Sequence, residues 1–270
     1  MRSTNTMDGD QRSPEISALL IDIDGVLYTG GAPVPGAIKA VSALQERFVP
    51  HRYLSNSTRR SRAAIAERLQ KMGFPIRKEE ILTPAVAAAG YLAEKKKTRA
   101  VFVTTESVLE DFAAARITPA ADRVDAVIVG DAGNALTYDL LNTAFRAVMQ
   151  GARIIALEKD RYWMDASGLS LAAGPFVAAL EFATRKKALV IGKPSPAFFR
   201  RALTELHAPA GITAMIGDDI RTDIQGAMQC GMAGFLVRTG KFREDALVQS
   251  AVRPTRILDT FPGVLEFFPE

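Results

Sequence analysis

Two carboxylates stand at the end of an apolar run near the start of the chain. The run Leu19–Ile21 leads directly into Asp22, and Asp24 and Gly25 follow within three residues. A short apolar run of this kind is typical of a buried strand. Ligands of open parallel sheets bind beyond the carboxyl ends of the strands, so the acids are placed where chemistry is expected. Two carboxylates so close together repel each other unless a proton or a cation offsets their charge.

Three further strand ends carry polar side chains of the same kind. They hold Ser55 and Asn56, then Lys193, then Asp218 and Asp219, with Asp223 one helical turn further on. If the four ends converge, the acids crowd together and require a cation. A hard divalent ion with oxygen ligands suits such a group, and Mg²⁺ is the natural candidate. Together, a metal ion and Lys193 would make a site that accepts a dianionic phosphate.

Short apolar runs alternate with segments of helical period along most of the chain. The pattern predicts strands at residues 18–23, 51–54, 100–103, 126–129, 153–156, 189–191, 213–216 and 235–237. It predicts helices at residues 35–47, 59–73, 84–96, 108–115, 138–150, 176–185, 197–207 and 224–230. Strands separated by helices of this length pair in parallel through right-handed crossovers. The predicted fold class is therefore α/β.

Four short motifs, in this order, resemble the signature motifs of the haloacid dehalogenase superfamily. They are DIDG, SN, GKP and GDDIRTD. The long insertion between SN and GKP resembles the C2 cap of the class IIA phosphatases. The run MIGDDIRTDIQGAMQCGMAGFLVRTGKFR is close to the subfamily of the haloacid dehalogenase-like hydrolase domain proteins and the phospholysine phosphohistidine inorganic pyrophosphate phosphatase. The resemblance implies a Rossmann-like core at residues 17–83 and 188–270 and a cap at 84–187. The residues before them, 1–16, begin with a polar stretch and are expected to form a flexible leader.

The resemblance also implies a role for each motif residue. Asp22 would be the nucleophile that forms an aspartyl-phosphate, and Asp24 the general acid for the leaving group and then the base for water. Asp22, the backbone carbonyl of Asp24, and Asp218 would hold Mg²⁺. An acid at the position of Asp24 is what separates phosphatases from the dehalogenases of the superfamily.

The remaining motif residues would bind the phosphoryl group or support the site. Ser55 and Asn56 would hydrogen-bond the phosphoryl group, and Lys193 would balance its charge. Asp219 and Asp223 would support the waters of the metal and the lysine. Ordinary structural roles stay open for some of them. Ser55 could cap the following helix, Lys193 could be a surface lysine, and Asp223 could serve the start of its own helix.

The function that follows is an Mg²⁺-dependent phosphatase for small phosphorylated metabolites. One alternative is a phosphotransferase or mutase that passes the phosphoryl group to an acceptor other than water. Another is a phospho-ligand-binding protein with little catalysis, whose expected sign would be a missing motif residue. The resemblance also makes a homodimer possible, since caps of this class often pair.

Charge and composition narrow the alternatives. The net charge of +4 comes from 34 basic and 30 acidic side chains that are well mixed, which disfavours nucleic-acid binding. The clusters Lys95–Lys97 and Arg59–Arg60 are expected to be solvated helix surface. Cys230 is the single cysteine, so an intrachain disulfide and a cysteine zinc site are excluded, and a small buried role in a cytoplasmic protein is expected. No apolar run is long enough to span a membrane.

Two segments of the predicted cap could face the substrate. Tyr162–Met164 is the most aromatic loop segment, and packing is favoured over substrate contact there. Gly174–Phe176 precedes a helix and could either reach the mouth of the site or simply start that helix. Neither a dinucleotide fingerprint nor a Walker A loop is present. A receiver domain would be much shorter.

Overall fold

The fold is described from a computed structural model, which covers residues 15–94, 98–165 and 168–269. Most of the predicted leader and the Lys95–Lys97 cluster lie outside these described residues. Within them, no helix is both long and apolar enough to cross a bilayer.

Each predicted strand and helix has a counterpart in the structure, with shifts at the ends. The strands are β1 Ala18–Asp22, β2 Tyr28–Thr29, β3 Ala32–Pro33, β4 His51–Leu54, β5 Ile81–Leu82, β6 Arg99–Val103, β7 Thr118–Pro119, β8 Ala126–Val129, β9 Arg153–Ala156, β10 Tyr162–Asp165, β11 Gly168–Leu171, β12 Leu189–Val190, β13 Thr213–Gly217, β14 Ala233–Val237 and β15 Arg256–Leu258. The α-helices are α1 Ala37–Glu46, α2 Arg62–Lys71, α3 Pro84–Ala93, α4 Glu106–Ala113, α5 Tyr138–Met149, α6 Gly174–Thr184, α7 Pro196–Leu206, α8 Gly226–Met228 and α9 Glu244–Gln249. Within the described residues, seven strands (β2, β3, β5, β7, β10, β11 and β15) and helix α9 were not predicted.

The larger sheet has six strands in the order β15-β14-β13-β1-β4-β5, and every pairing is parallel. Strand β1 lies inside the sheet, where Ile21 pairs with Ile216 of β13 and Asp22 pairs with Leu54 of β4. Parallel strands end at one edge. The register therefore brings the end of β1 beside the ends of β4 and β13.

Helices cover both faces of this sheet. Leu19 and Ile21 of β1 belong to a core cluster with α1 and α2. Leu20, which points to the opposite face, belongs to a second cluster with α3 and α7. Alternate side chains of a strand point to opposite faces, so a strand buried on both sides is apolar at every position. The predicted α/β class is confirmed.

The inserted cap is built on a second parallel sheet of five strands, in the order β12-β9-β8-β6-β7. One face packs on α5 and α6. The other face contributes Ile128 of β8 and Ile155 of β9 to the cluster that also contains Leu20 of the larger sheet. A continuous apolar core therefore joins the cap to the catalytic core.

Strand β12 differs from the sequence prediction. The predicted boundary at residue 187 assigned it to the catalytic core, but Leu189 pairs with Ile155 and Val190 with Ala156 of β9. The strand is thus the outer strand of the cap sheet, and the chain enters the core only after it. An apolar pair of residues carries no signal of which sheet it joins, because tertiary packing decides that.

Two local elements also differ. The helix predicted at residues 224–230 begins earlier, as a π-helix at Ile220–Gln225 that runs into α8. Cys230, expected to be buried, is only half-buried. The aromatic segment Tyr162–Met164, predicted as a loop, forms strand β10, which pairs antiparallel with β11. The two strands form the β10–β11 hairpin of the cap.

Candidate active site

Lys193 and Asp22 form a buried ion pair at the edge of the larger sheet. Nζ of Lys193 lies 2.6 Å from Oδ1 of Asp22 and 2.6 Å from Oδ1 of Asp223. All three side chains are almost fully buried. The ammonium group is therefore shared between the end of β1 and the π-helix, and Lys193 is not a surface lysine.

Asn56 holds the backbone of Lys193. Its Oδ1 accepts a hydrogen bond of 2.9 Å from the backbone N–H of Lys193. An added Cβ at Gly192 would come within 2.5 Å of the same Oδ1 and within 2.4 Å of the carbonyl oxygen of Leu157. Only glycine fits between the cap strand and Asn56, so this contact fixes the approach of the lysine to the site.

Burial and charge shift the pKa values of these groups. Burial, followed by the charge of Asp223, raises the pKa of Asp22 well above its usual range, although Lys193 opposes the shift. Burial and then Asp223 also raise the pKa of Asp218, to about 7. For Lys193, burial alone would lower the pKa, but the carboxylates of Asp22 and Asp223 outweigh it and raise the pKa. Any added positive charge would stabilise the ionised form of these carboxyl groups and lower their pKa values.

Asp22, Asp218 and Asp223 form an acidic cluster that fits a metal ion. One carboxylate oxygen from each lies within 4.8 Å of the others. Asp218, at the end of β13, is fixed through its Oδ2, which accepts a hydrogen bond of 2.7 Å from the backbone N–H of Lys241. Buried carboxylate oxygens crowded in this way are the donor set of a hard divalent cation.

Two glycines make room for Asp218. An added Cβ at Gly25 would lie 1.8 Å from Oδ2 of Asp218, and one at Gly240 would lie 2.0 Å from the same atom. Both residues also have positive φ angles, +83° and +62°. Side chains are excluded on steric and conformational grounds at both positions, so the two loops close tightly around the carboxylate.

Asp24 lies beyond the strand end and is exposed. The hydroxyl of Tyr28, in the small β2–β3 hairpin, donates a hydrogen bond to Oδ1 of Asp24. Burial, then the charge of Asp24, raises the pKa of Tyr28, so the phenol stays a donor. This hydrogen bond holds the carboxylate of Asp24 against the β2–β3 hairpin.

Ser55 and Asp219 differ in whether they cap a helix. Oγ of Ser55 accepts a hydrogen bond of 3.1 Å from the backbone N–H of Ser57, and helix α2 is capped instead by Ser61. Asp219 does cap a helix, since its Oδ1 accepts bonds of 2.8 Å and 3.0 Å from the first backbone N–H groups of the π-helix. Ser55 therefore remains available at the strand end, while Asp219 organises the segment that carries Asp223.

The arrangement combines a carboxylate that can attack phosphorus, a cation that can balance the phosphoryl charge and a carboxyl group that can protonate a leaving group. Comparison with known families identifies it. Residues 19–116 match the model described as haloacid dehalogenase-like hydrolase, and residues 190–264 match a HAD-hydrolase-like model. The haloacid dehalogenase-like hydrolase domain-containing protein 2 of Bos taurus is 39% identical over 253 residues, which cover 93% of this chain and 95% of that protein.

The chain belongs to the haloacid dehalogenase-like hydrolase family.

Relatives of this hydrolase include named phosphatases. The phospholysine phosphohistidine inorganic pyrophosphate phosphatase of Homo sapiens is 38% identical over 244 residues, with 86% of this chain and 87% of that protein covered. A glycerol phosphate phosphatase of Mycobacterium tuberculosis, solved in complex with magnesium, superposes with a TM-score of 0.82 at 31% identity. That match covers 92% of this chain and 75% of the other. The hydrolase is a phosphatase, and its catalytic core carries an inserted α/β cap.

The cap of the hydrolase supplies residues that the sequence analysis missed. Arg59, expected to be solvated helix surface, lies with Nη1 3.8 Å from Oδ2 of Asp131 and with its guanidinium 5.5 Å from the ring centre of Trp163. Asp131 follows β8, and its backbone N–H donates a 2.9 Å bond to Oγ1 of Thr58. Core and cap therefore meet at Arg59, and Trp163 contacts a core residue rather than only packing within the cap.

Glu158 joins the two chain segments at the base of the β10–β11 hairpin, residues 158–160 and 173–174, which we call the neck. It is buried, and its Oε1 accepts a 2.6 Å bond from the backbone N–H of Ala173, while Oε2 accepts one from Asp160. Burial raises the pKa of Glu158 to about 7 despite these two bonds. The backbone N–H of Gly174 donates to the carbonyl of Asp160 at 2.9 Å, so the segment before α6 belongs to this neck.

Asp160 extends from the neck toward the catalytic core. Burial raises its pKa, while the charges of Lys241, Arg221 and Lys193 lower it and that of Asp219 raises it. The charges of four side chains of the catalytic core therefore act on this carboxylate of the cap. Both Glu158 and Asp160 follow the end of strand β9, so the rule that located the core motifs could have found them.

Proposed function

We propose that the protein hydrolyses phosphomonoesters of small metabolites through a phosphorylated Asp22 in the presence of Mg²⁺. The observation that carries the proposal is the 2.6 Å ion pair between Asp22 and Lys193 next to Asp218. A nucleophile held against a fixed cation is positioned for phosphoryl transfer, which depends mainly on positioning and charge stabilisation.

In the first step, a carboxylate oxygen of Asp22 bonds to phosphorus and the bond from phosphorus to the leaving oxygen breaks. Oδ2 of Asp24 gives its proton to that oxygen, which leaves as an alcohol. The hydroxyl of Ser55, the amide of Asn56 and the ammonium of Lys193 would hold the other phosphoryl oxygens. Covalent catalysis of this kind divides one difficult displacement into two easier ones.

In the second step, Asp24 takes a proton from water as the water oxygen bonds to phosphorus. The acyl phosphate bond breaks, inorganic phosphate leaves, and Asp22 is restored. Mg²⁺, held by Asp22, Asp218 and the backbone carbonyl of Asp24, would supply positive charge to the phosphoryl oxygens. The magnesium complex of the similar glycerol phosphate phosphatase supports this choice of metal. Asp223 pairs with Lys193 in the same cluster and would hold the lysine in place.

The test is phosphate release from a broad panel of phosphorylated compounds, with Mg²⁺ and with a chelator. We expect release by the wild type with Mg²⁺ and none by Asp22→Asn, with a phosphorylated Asp22 peptide trapped by acid quenching of the wild type. Asp24→Asn should lower kcat by about 10²–10⁴-fold, the contribution of a general acid. Substantial turnover by Asp22→Asn would overturn the covalent route, and transfer to added alcohols in place of water would identify a phosphotransferase.

A further inference from the structure

A cleft of about 440 Å³ opens beside the metal-binding acids. Asp218 and Asp219 line its inner end, together with Arg221 and Lys241. The rest of its wall is largely apolar, with Leu236 and Phe242 among the lining residues. Its volume is within the range of small-molecule sites, which combine apolar walls with a few fixed polar groups.

Lys241 is fixed to the catalytic centre by its backbone. Its N–H donates the 2.7 Å bond to Oδ2 of Asp218, and the preceding Gly240 packs so tightly that an added Cβ would lie 2.5 Å from Cα of Gly25. The charge on its side chain also faces the site. Burial would lower the pKa of Lys241, but the carboxylates of Asp218 and Asp22 raise it.

Arg221 also lines the cleft. Its backbone N–H donates to Oδ1 of Asp219 at 2.8 Å, and its side chain is exposed. Its charge acts on Asp160 of the cap, as does the charge of Lys241. Both cations line the cleft beside Asp218.

Neither cation forms a close ion pair in the part of the chain that the structure describes. Among the described residues, no carboxylate oxygen lies within 4 Å of the charged nitrogens of Arg221 or Lys241. Arg243, which also lines the cleft, contrasts with them, because it forms two bonds of 3.0 Å and 2.7 Å to Asp245. Free cations in a cleft attract an anion from solution.

The two acids at the inner end do not exclude an anion. Asp218 belongs to the cluster that would hold the divalent cation, so its charge is offset when the proposed metal is bound. Oδ1 of Asp219 already accepts two backbone N–H groups at the start of the π-helix. The carboxylates of Asp219 and Asp160 also act on these cations, but no ion pair joins them among the described residues, so Lys241 and Arg221 can still contact an anion.

We propose that Lys241 and Arg221 form a second anion-binding site, which holds a negatively charged group on the leaving portion of the substrate while the apolar wall holds its body. The proposal rests on the proposed phosphatase function and names its substrate class. The substrates are phosphomonoesters that carry a second anionic group, either a carboxylate or a further phosphate, on an apolar framework.

The test compares three substrates that share one framework: phenyl phosphate, 4-carboxyphenyl phosphate and 1,4-phenylene bisphosphate. We expect kcat/KM to be about tenfold or more higher for the two anionic substrates than for phenyl phosphate, a difference worth about 1.4 kcal/mol. The carboxylate and the bisphosphate distinguish the two possible anions. The preference should weaken as salt is added, because surface charges are screened.

Variants assign the preference to the two cations. Arg221→Glu should reverse the ratio of kcat/KM values, and Lys241→Met, which keeps the backbone bond to Asp218, should reduce it toward one. Lys39→Met removes an exposed lysine on α1, outside the cleft, and should leave the ratio unchanged. A ratio of one in the wild type, or a ratio that neither variant changes, would overturn the second site.

The results also distinguish failure of the second anion-binding site from failure of the proposed phosphatase function. Turnover of phenyl phosphate that needs Mg²⁺ and Asp22, without an anion preference, leaves the phosphatase intact and removes the second site. If none of the three is turned over, calorimetric titration of Mg²⁺-loaded Asp22→Asn with 4-carboxyphenyl phosphate supplies the comparison by binding. Addition of Arg221→Glu should then weaken binding about tenfold, and equal affinities would overturn the proposal.

Discussion

The ammonium group of Lys193 lies 2.6 Å from the carboxylate of Asp22 and at the same distance from that of Asp223, in a pocket closed to solvent. Removing one member of a buried charge group leaves the others without compensation, and this costs more than the loss of a surface pair. Structure and reactivity are therefore coupled at this lysine, and the first prediction measures both.

Lys193→Met keeps the length of the side chain and removes its charge. We expect kcat to fall by about 10²–10³-fold, since a group that stabilises transition-state charge is lost. In the presence of a chelator, the free energy of unfolding should fall by about 3–5 kcal/mol, because Asp22 and Asp223 lose their shared partner. Urea unfolding measures the change. Lys39→Met, an exposed substitution, is the control, and an unfolding free energy equal to that of the wild type would contradict the prediction.

Gly25→Ala tests the close approach of the loops to Asp218. The new Cβ would lie 1.8 Å from Oδ2 of the acid, so either the carboxylate or the loop must move. Misplacement of a catalytic group by about 1 Å can cost about a hundredfold in rate, and we expect a loss of this size in Mg²⁺-dependent turnover.

Gly31→Ala is the matched control for this substitution. Gly31 has a φ of +89°, close to the +83° of Gly25, but an added Cβ there meets no atom within 4 Å. Both variants bear the same conformational penalty, of about 1–2 kcal/mol for a side chain in the left-handed region. Equal activities in the two variants would show that backbone strain, and not contact with Asp218, is responsible.

Glu158→Gln tests the neck of the β10–β11 hairpin through pH. Burial raises the pKa of Glu158 from 4.5 to about 7, so the folded protein holds this proton more tightly than the unfolded chain. The resulting stabilisation is complete below about pH 4.5 and is lost as the pH rises through 7. From pH 5 to pH 8, the unfolding free energy of the wild type should fall relative to the variant by about 2–3 kcal/mol.

Urea unfolding at each pH measures this difference. The slope with pH is the informative quantity, since the amide also disturbs one of the two backbone bonds at every pH. Glu79→Gln, which replaces an exposed glutamate on the surface of the catalytic domain, controls for the removal of a carboxyl group. Parallel pH profiles for wild type and Glu158→Gln would refute the titration of the neck.

Asp111→Ala tests the junction between cap helix α4 and core helix α2. The backbone N–H of Arg62 donates to both oxygens of Asp111, at 3.1 Å and 3.3 Å, and the hydroxyl of Thr83 lies 3.4 Å away. Loss of the acceptor leaves buried donors unpaired, so the unfolding free energy should fall by about 1–3 kcal/mol. Asp122→Ala removes a surface pair with Arg99 and should change it by less than about 1 kcal/mol. Equal losses of unfolding free energy in the two variants would show that the bonds of Asp111 stabilise the protein no more than a surface ion pair does.

The sequence alone was sufficient to predict that the motif residues of the catalytic core meet at the carboxyl edge of the larger sheet. A continuously apolar strand such as β1 requires helices on both faces, and parallel strands bring their carboxyl ends to one edge. The proximity of Asp22, Lys193 and Asp218 follows from those two rules and the order of the motifs. Lys241 follows a predicted strand end too, but its importance becomes visible only from the 2.7 Å bond between its backbone and Asp218.

Other features had no local signal. The two apolar residues of β12 could join either sheet, and their pairing with β9 depends on packing far away in the sequence. Arg59 looked like part of a solvated helix, because its partners Asp131 and Trp163 are separated from it by more than 70 residues. Contacts between a domain and its insertion are set by tertiary geometry, which periodicity does not report.

Strand β12 connects the cap sheet directly to Lys193 of the candidate active site. Pairing with the cap continues past Val190, since the backbone N–H groups of Ile191 and Gly192 donate to Ala156 and Leu157 at 2.9 Å each, and the next residue is Lys193. A cap that swung open here would pull the ammonium away from Asp22. The cap sheet and the lysine are therefore mechanically linked, so a rigid rotation of the whole cap about this segment would also displace the charge that faces Asp22.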